Sequence, residues 1–190
     1  IKVIIPYHQQ SPDFLKRFDR EAKALASLQH PNILKVHDFG EHEGAPFLVM
    51  EYIKGGTLTE RMGKPTPYQE AARLTIPIAQ ALDYAHKQNI IHRDIKPANI
   101  LMSTHGSPML SDFGIAKLLT QEQTRSLTGA GVSIGTPEYM APEQGQGSHV
   151  DHRADIYALG VVFYELITGR KPFQADTPMA VILKHMTEPL

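Results

Sequence analysis

The chain has 190 residues, of which 42% are hydrophobic and 21% are charged, a composition typical of a globular domain with a sizeable core. Its formal net charge is −1, so the overall charge does not indicate a nucleic-acid or anionic-membrane surface. Cysteine is absent, which excludes disulfides and thiolate metal sites and fits a reducing compartment. No apolar run approaches the roughly 20 residues that a membrane-spanning helix needs.

The chain begins with a predicted strand and a predicted helix. Residues 1–5 form an apolar run typical of a buried strand. The Ser-Pro-Asp of residues 11–13 predicts a helix start, apolar side chains follow at helical spacing, and the His-Pro-Asn of residues 30–32 ends the helix. Lys2 lies on this strand and Glu21 on this helix. Taken alone, each is more simply explained as a solvated surface charge.

Two further strands are predicted next. Residues 33–36 and 47–50 are apolar, and a polar turn around Glu43 and Gly44 separates them, which favours an antiparallel pair. The second strand runs into residues 51–56, Glu-Tyr-Ile-Lys-Gly-Gly. A strand that ends in Gly-Gly is common, so this segment alone does not specify a function.

A long helix follows. Thr66, Pro67 and Gln69 have the spacing of a capping box with proline at the first helical position, and apolar residues continue at helical spacing to His86. Pro77 removes one backbone hydrogen bond from this helix, which predicts either a bend or a later helix start. We interpret the helix as structural.

The most informative stretch is residues 92–99, His-Arg-Asp-Ile-Lys-Pro-Ala-Asn, followed by the Asp-Phe-Gly of residues 112–114. Short apolar runs at residues 90–91, 100–102 and 109–110 surround these polar groups and predict short buried strands. Loops between such strands can hold polar side chains at fixed spacing.

These polar groups suit phosphoryl transfer, which requires an oriented hydroxyl, metal ions that bridge the phosphates, and positive charge beside the crowded oxygens. Asp94 can orient and deprotonate the hydroxyl, and Lys96 can reach the transferred phosphoryl group. Asn99 and Asp112 carry oxygen ligands suited to Mg²⁺.

The stretch resembles the catalytic and metal-binding loops of protein kinases. The resemblance implies that a strand lysine pairs with a helix glutamate and holds the phosphates of ATP. It also implies a hinge in which Met50 is the gatekeeper and the main chain of the next residues faces adenine. The ATP-binding residues implied in this way are Lys2, Glu21, Met50, Glu51, Ile53 and Leu101.

Residues 118–133 are rich in Thr, Ser, Gln and Gly, which predicts a mobile segment. Residues 135–143, which include Ala-Pro-Glu, resemble the end of a kinase activation segment. By this resemblance Thr136 hydrogen-bonds Asp94 and Lys96. The lysine at position 96 also gives the loop its Ser/Thr-kinase form, because tyrosine kinases lack a lysine there.

The same resemblance implies a regulatory role for Arg93. Kinases with this arginine are often switched on when a phosphorylated activation-segment residue pairs with it, since a phosphate adds about −1.5 to −2 charge. Thr128 is the first candidate for phosphorylation, and Ser126 and Thr124 are the reserves. Ala130 departs from the resembling bacterial kinases, in which a second threonine is common.

The last two predicted elements are helices. Residues 155–160 open a strongly apolar helix that ends at Gly169 as its C-cap. It resembles the buried central helix of the larger kinase lobe, in which Asp155 anchors the backbone of the catalytic loop. Thr177 and Pro178 then start a final helix.

The chain has ten histidines, which raises the question of a metal site. His149 and His152 are three residues apart, but they lie in a Gly/Ser-rich loop without further ligands, so surface histidines are the simpler interpretation. We interpret His92 as a packed core residue that orients the loop, because Asp94 is better placed to act as the base.

The resemblance covers essentially the whole chain and points to bacterial, eukaryotic-like serine/threonine kinases. It implies an α+β, protein-kinase-like bilobal fold, in which a partial, small β-rich N-lobe carries one helix and the C-lobe is mostly helical. Residues 1–190 would form one partial kinase domain, with residues 1–50 as the N-lobe remainder, 51–56 as the hinge and 57–190 as a truncated C-lobe.

The implied reaction transfers the γ-phosphoryl group of ATP, with Mg²⁺, to Ser or Thr hydroxyls of protein substrates. Self-phosphorylation in trans is a further expectation, and nucleic acid is not an expected partner. The expected location is the cytoplasm, or the cytoplasmic face of a membrane through a segment outside this chain.

Both ends of the sequence are expected to be cuts within a larger domain. The glycine-rich loop that covers the phosphates is expected before Ile1, and the arginine that pairs with Glu143 in the family is expected after Leu190. Removing one partner of a buried ion pair costs roughly 3–5 kcal/mol, a large share of a typical stability of about 5–15 kcal/mol. The 190 residues alone are therefore expected to be marginally folded and nearly inactive.

Two rival functions remain open at this point. A pseudokinase would use the same fold as an ATP-binding or scaffolding module, and ATP turnover by the intact protein would distinguish it. A small-molecule phosphotransferase of the aminoglycoside-kinase type is more distant. The long segment that ends at residues 141–143 argues against it, because such a platform suits a peptide.

Overall fold

The structure, a computed structural model, describes residues 2–3, 12–42, 45–113, 136–146 and 150–189. Its strands and helices are β1 Lys2–Val3, α1 Pro12–Ala26, β2 Val36–His42, β3 Ala45–Met50, α2 Tyr68–Lys87, β4 Ile100–Met102, β5 Pro108–Leu110, α3 Pro142–Gly145, α4 Arg153–Thr168 and α5 Pro178–Thr187. Short 3₁₀ helices lie at Leu58–Arg61, Pro97–Asn99 and Pro137–Tyr139. The predicted α+β class is confirmed.

A small three-stranded antiparallel sheet in the order β1-β3-β2 carries helix α1. Phe18 and Ala22 of α1 are buried against Val36 and Leu48 of the sheet and form a small core with them. A buried side chain of this kind contributes roughly 1.5–3 kcal/mol. The predicted antiparallel pair is therefore present, as β2 and β3.

The first strand of that pair was predicted too early, because β2 begins at Val36 instead of residue 33. The residues before it pair elsewhere: Leu34 N–H donates to the Leu110 carbonyl at 2.7 Å, and Leu110 N–H donates to the Asn32 carbonyl at 2.8 Å. This apolar run therefore connects the small sheet to β5.

A second, larger core lies between α2, α4 and the β4–β5 hairpin. Its large, almost fully buried side chains include Leu58, Leu74, Ile78, Leu82, Ile100, Leu110, Val162 and Leu166. Strands β4 and β5 confirm the predicted strands at residues 100–102 and 109–110, and they pair in an antiparallel register with Ile100 opposite Leu110. The core thus supports the loops on both sides of this hairpin.

Helix α2 differs from the prediction at its start. It begins at Tyr68 with Pro67 in the cap position, so the predicted cap at Thr66 is wrong; the Thr66 N–H instead donates to the Leu166 carbonyl of α4 at 2.8 Å. The helix runs without a break past Pro77, so the alternative of a later start is also wrong.

The predicted strand at residues 90–91 is not formed. Asn89 has φ +60° at the end of α2, and the Ile90 N–H donates to the Ala85 carbonyl at 3.0 Å. This is the geometry of a left-handed helix cap. Helix α1 likewise ends at Ala26, before the predicted His-Pro-Asn stop.

The caps predicted for the last two helices are confirmed. Gly169 follows α4 with φ +73°, and its N–H donates to the Glu165 carbonyl. The Thr177 hydroxyl accepts a hydrogen bond from the Ala180 N–H at the start of α5. None of the helices in the described ranges is long and apolar enough to cross a membrane.

Candidate active site

The loop between α2 and β4 is anchored by Asp155 of α4. Its carboxylate accepts the His92 N–H at 2.8 Å and the Arg93 N–H at 2.7 Å, and it lies 2.8 Å from Nε2 of His86. Asp155 is 1% exposed, and burial opposes its ionisation. The hydrogen bonds from His86 and the two backbone N–H groups still hold its pKa below the usual range. The predicted anchor is confirmed.

His92 is buried inside this loop, as predicted. Its Nε2 lies 2.9 Å from the Ser111 carbonyl, and its Nδ1 accepts the Asp94 N–H at 3.3 Å. The neutral tautomer with a proton on Nε2 satisfies both contacts. Burial lowers the pKa of His92, against the charge of Asp155. The ring also packs against Phe113, with 4.5 Å between centroids, so His92 ties the two polar loops together.

Three of the predicted site residues share one hydrogen-bonded group. Lys96 Nζ lies 2.9 Å from Oδ2 of Asp94, and Nδ2 of Asn99 donates to the backbone carbonyl of Asp94 at 2.8 Å and to Oδ2 at 2.9 Å. The Asp94 side chain is 27% exposed, so a ligand can approach it. Asn99 is buried, which fixes its amide against the loop.

The β4–β5 hairpin brings the backbones near Asn99 and Asp112, the two predicted metal ligands, next to each other. The N–H and hydroxyl of Ser111 both donate to the Asn99 carbonyl, at 2.9 and 3.1 Å, and Asp112 is the next residue. Asp112 has φ +60°, a conformation that is costly for a residue with a side chain and that occurs often at functional sites. Among the described residues, no three His, Asp or Glu side chains are grouped to hold a metal ion.

The predicted hinge follows β3 directly. Met50 lines a mainly apolar cavity together with Asp112 and Phe113. The Glu51 N–H donates to the Lys35 carbonyl at 3.3 Å, so the amide of Glu51 is used inside the sheet. Ile53 is half-buried two residues later.

The end of the hinge approaches β4 closely. The Met102 N–H donates to the Gly56 carbonyl at 3.0 Å, and a β-carbon on Gly55 would lie 2.1 Å from the Met102 carbonyl oxygen. Leu101 is half-buried, whereas Ile100 and Met102 on either side of it are buried. Because side chains alternate along a strand, Leu101 faces away from the core.

The structure does not describe the predicted Lys2–Glu21 pair. Lys2 lies in β1 opposite Leu48, but its side chain is outside the described atoms. Glu21 is half-buried on α1. Burial raises the pKa of Glu21, and the positive charges of Arg93, Arg20 and Arg17 oppose this shift.

Residues 136–146 contact the loop that carries Arg93 and Asp94. Thr136 lines one cavity with Arg93, Asp94, Tyr139 and Gln144, so Thr136 and Asp94 share the wall of one cavity. The hydrogen bond from Thr136 to Asp94 or Lys96 is not among those found in the described part of the chain, and it stays a prediction. Thr128, Ser126, Thr124 and Ala130 lie outside the described residues.

Three hydrogen bonds near this cavity were not predicted. Gln144 donates from Nε2 to the Arg93 carbonyl at 3.2 Å and accepts the Ala141 N–H at 3.0 Å. The Tyr139 hydroxyl donates to Glu165 at 2.6 Å; burial, reinforced by Glu165, raises the pKa of Tyr139. The sequence signs were a glutamine three residues after Ala141 and an acid, Glu165, in the apolar second half of α4.

Of His149 and His152, which we interpreted as surface histidines, the structure describes His152, and it supports that interpretation. His152 is exposed and contacts His86 only ring to ring, with 5.5 Å between centroids. His149 lies outside the described residues.

Comparison with known proteins agrees with this geometry. The protein kinase domain family matches residues 1–189. The serine/threonine-protein kinase PknB of Mycobacterium leprae is 41% identical, over 99% of this chain and 31% of its own length. The probable serine/threonine-protein kinase PknB of Lactococcus lactis is 41% identical over 99% of this chain and 30% of its own length. Serine/threonine-protein kinase pkn3 of Myxococcus xanthus is 44% identical over 90% of this chain and 33% of its own length.

The chain thus spans about a third of the length of these relatives. The family match extends over nearly the whole sequence, and Asp94, Lys96 and Asn99 form one group beside Asp112. The match and this geometry lead to one conclusion: the chain belongs to the protein kinase family, and its relatives are bacterial serine/threonine kinases.

Proposed function

We propose that the chain is the catalytic part of an ATP-dependent protein kinase that transfers the γ-phosphoryl group of ATP to Ser or Thr hydroxyls of protein substrates. Residues 1–50 would be the N-lobe remainder, 51–56 the hinge and 57–190 the C-lobe of one partial domain. The observation that carries the proposal is the group formed by Asp94, Lys96 and Asn99, with contacts of 2.8–2.9 Å.

In this proposal Asp94 is the base. The contacts described for its side chain are to Oδ2, and its partial exposure lets a substrate hydroxyl approach the carboxylate. A base held in place in this way both orients the hydroxyl and accepts its proton. Lys96, 2.9 Å from Asp94, supplies positive charge where charge develops on the transferred group. Thr136, which lines the same cavity as Asp94, would bond to this pair.

Asn99 and Asp112 would hold Mg²⁺. Both bonds of the Asn99 amide use its nitrogen, so its oxygen is the atom suited to a cation. One amide and one carboxylate oxygen are too few for Mg²⁺ alone, but they suit a site completed by water and nucleotide phosphates. When bound, Mg²⁺ neutralises charge on those phosphates.

The nucleotide would lie between the small sheet and β4. The adenine would meet the main chain of Glu51 and Ile53, with Met50 behind it and Leu101 on the outward face of β4. Lys2 and Glu21 would hold the phosphates from the sheet side; this part rests on the family resemblance alone. The absence of cysteine and the use of ATP favour a cytoplasmic location.

The experiment compares Asp94→Asn with the wild type in the intact protein. Transfer of labelled phosphate from ATP to casein should fall about 100-fold or more, while binding of a fluorescent ATP analogue is retained. Asp83→Asn is the matched control, because Asp83 is an exposed carboxylate on α2 that pairs with Lys87. Full activity in Asp94→Asn would remove the base assignment. A wild-type protein that binds ATP without transfer would support the pseudokinase instead.

A further inference from the structure

We infer that Gln144 is a positioning residue that fixes the catalytic loop at Arg93 and thereby sets the place of Asp94. The inference rests on the proposed function, in which Asp94 is the base. Its structural basis is one side chain with two bonds: Gln144 donates to the Arg93 carbonyl at 3.2 Å and accepts the Ala141 N–H at 3.0 Å.

The backbone at Arg93 needs such support. Arg93 has φ +64°, a left-handed conformation that residues with a side chain adopt rarely and that persists only when neighbouring groups hold it. Its N–H is held by Asp155 at 2.7 Å, and its carbonyl is held by Gln144. The two peptide groups that flank the Arg93 Cα are therefore each fixed by a different side chain.

The consequence reaches Asp94 directly. The Arg93 carbonyl belongs to the peptide group that leads into Asp94, so releasing it allows rotation about the Arg93 backbone and moves the Asp94 carboxylate. On the amide side of the same peptide group, the Asp94 N–H makes only a 3.3 Å bond to Nδ1 of His92. The Gln144 bond to the carbonyl is thus a main restraint on this peptide plane.

Only a primary amide meets both partners. The carbonyl of Arg93 requires a donor and the N–H of Ala141 requires an acceptor, and glutamine offers one of each. A glutamate at position 144 would keep the acceptor but place a second oxygen against the Arg93 carbonyl. Gln144 is half-buried in the cavity that Thr136 and Asp94 also line.

Gln144 also joins two separate parts of the chain. Ala141 belongs to the segment that begins at Thr136, whereas Arg93 belongs to the catalytic loop, 51 residues before Gln144. The position of residues 136–141 is thereby coupled to the position of Asp94 through one side chain.

The test uses Gln144→Glu in the intact protein, with Gln146→Glu as the matched control. Gln146 is exposed at the end of α3, so it receives the same charge change without contacting the catalytic loop. Phosphoryl transfer to casein by Gln144→Glu should show a kcat roughly 10- to 100-fold lower, with the KM for ATP unchanged. Gln146→Glu should match the wild type in both constants.

Hydrogen exchange gives a readout independent of activity. The amides of residues 93 and 94 should exchange faster in Gln144→Glu than in Gln146→Glu, even if the wild type transfers no phosphate and the proposed function is wrong. Gln144→Met, which has the same length but no amide, should behave like Gln144→Glu. The inference is overturned if Gln144→Glu and Gln144→Met both keep the wild-type kcat and the wild-type hydrogen-exchange rates at residues 93 and 94. Loss of cooperative unfolding in both would also overturn it, because Gln144 would then hold the fold rather than the loop.

Discussion

The carboxylate of Asp155 accepts the backbone N–H of Arg93 at 2.7 Å, across 62 residues of sequence. The same carboxylate takes a second backbone N–H from His92 and a contact from His86, each at 2.8 Å. A buried charge with three donors stabilises the loop that they belong to, and removing it leaves those donors without an acceptor. The shape of the catalytic loop therefore depends on a helix that is distant in sequence.

Asp155→Asn should destabilise the protein by roughly 3 kcal/mol, because the amide replaces one accepting oxygen with a donor that faces other donors. Urea denaturation monitored by circular dichroism measures the change. The control is Asp83→Asn on α2, whose exposed pair with Lys87 is expected to contribute less than about 1 kcal/mol. Equal denaturation midpoints for the two variants would contradict the anchoring role of Asp155.

Two glycine substitutions should change stability in opposite directions. Gly55→Ala places a β-carbon 2.1 Å from the Met102 carbonyl oxygen, so the hinge must move away from β4, at a cost of about 1–3 kcal/mol. Gly160 lies exposed inside α4, with open space around its β-carbon position. Gly160→Ala should therefore stabilise the protein by about 0.5–1 kcal/mol. Thermal denaturation of both variants beside the wild type tests the contrast, which fails if Gly55→Ala melts no earlier than the wild type.

Stability should fall as the pH drops from 7 towards 5. His185 is buried, and its Nδ1 lies 2.7 Å from the Tyr157 hydroxyl. Burial lowers the pKa of both His185 and His92, although Glu138 and Asp155 respectively oppose the shift. In the unfolded chain these imidazoles titrate near pH 6.5. Below that pH the unfolded state binds protons that the folded state does not, so the stability present above pH 6.5 is progressively lost.

The measurement is urea denaturation at pH 7.0, 6.0 and 5.0. His185→Phe removes one of the two titrating groups and should flatten the pH dependence. His105→Gln changes an exposed loop residue and should retain the dependence of the wild type. A wild-type stability that stays constant or rises on acidification would show that these histidines do not control it.

Thr128→Ala is expected to lower the activity of the intact protein several-fold. The reason is the resemblance-based hypothesis that phosphorylated Thr128 pairs with Arg93, whose backbone is held from both sides in the structure. Phosphate transfer to casein, with mass spectrometry of the segment, tests this. Ser126→Ala and Thr124→Ala, the reserve candidates, are compared in the same assay, and a loss in one of these in place of Thr128→Ala would assign the site to that residue. If Thr128→Ala retains wild-type activity, the hypothesis fails.

Elements with local end signals were predictable from the sequence. Thr177 caps the start of α5, and Gly169 caps the end of α4. Each makes its capping hydrogen bond with a residue no more than four positions away, so both caps can be identified from a short stretch of sequence. The residues of the candidate site were singled out for a different reason: their motif resembles a known family. The residue types at Asp94 and Asn99 already suited phosphoryl transfer, and the resemblance added the kinase family.

Predictions failed where a distant partner decided the structure. Thr66 has the sequence of a helix cap, yet its N–H bonds to Leu166 of α4, and Leu34 pairs with Leu110 instead of extending β2. The bond from Gln144 to the Arg93 carbonyl and the bond between Tyr139 and Glu165 also join distant segments. Side-chain pairings of this kind leave no periodicity in the sequence, so only the folded structure shows them.

The paired main-chain bonds between residues 32–34 and Leu110 have a mechanical consequence. They fix the main chain two residues before Asp112, and we expect the small sheet with α1 to tilt about this pivot when a nucleotide enters or leaves. Asp112 and Asn99 both lie on the other side of this pivot, joined through Ser111. We expect nucleotide entry and departure to leave the spacing of these two side chains unaltered, so that each cycle begins with the same ligands already in place.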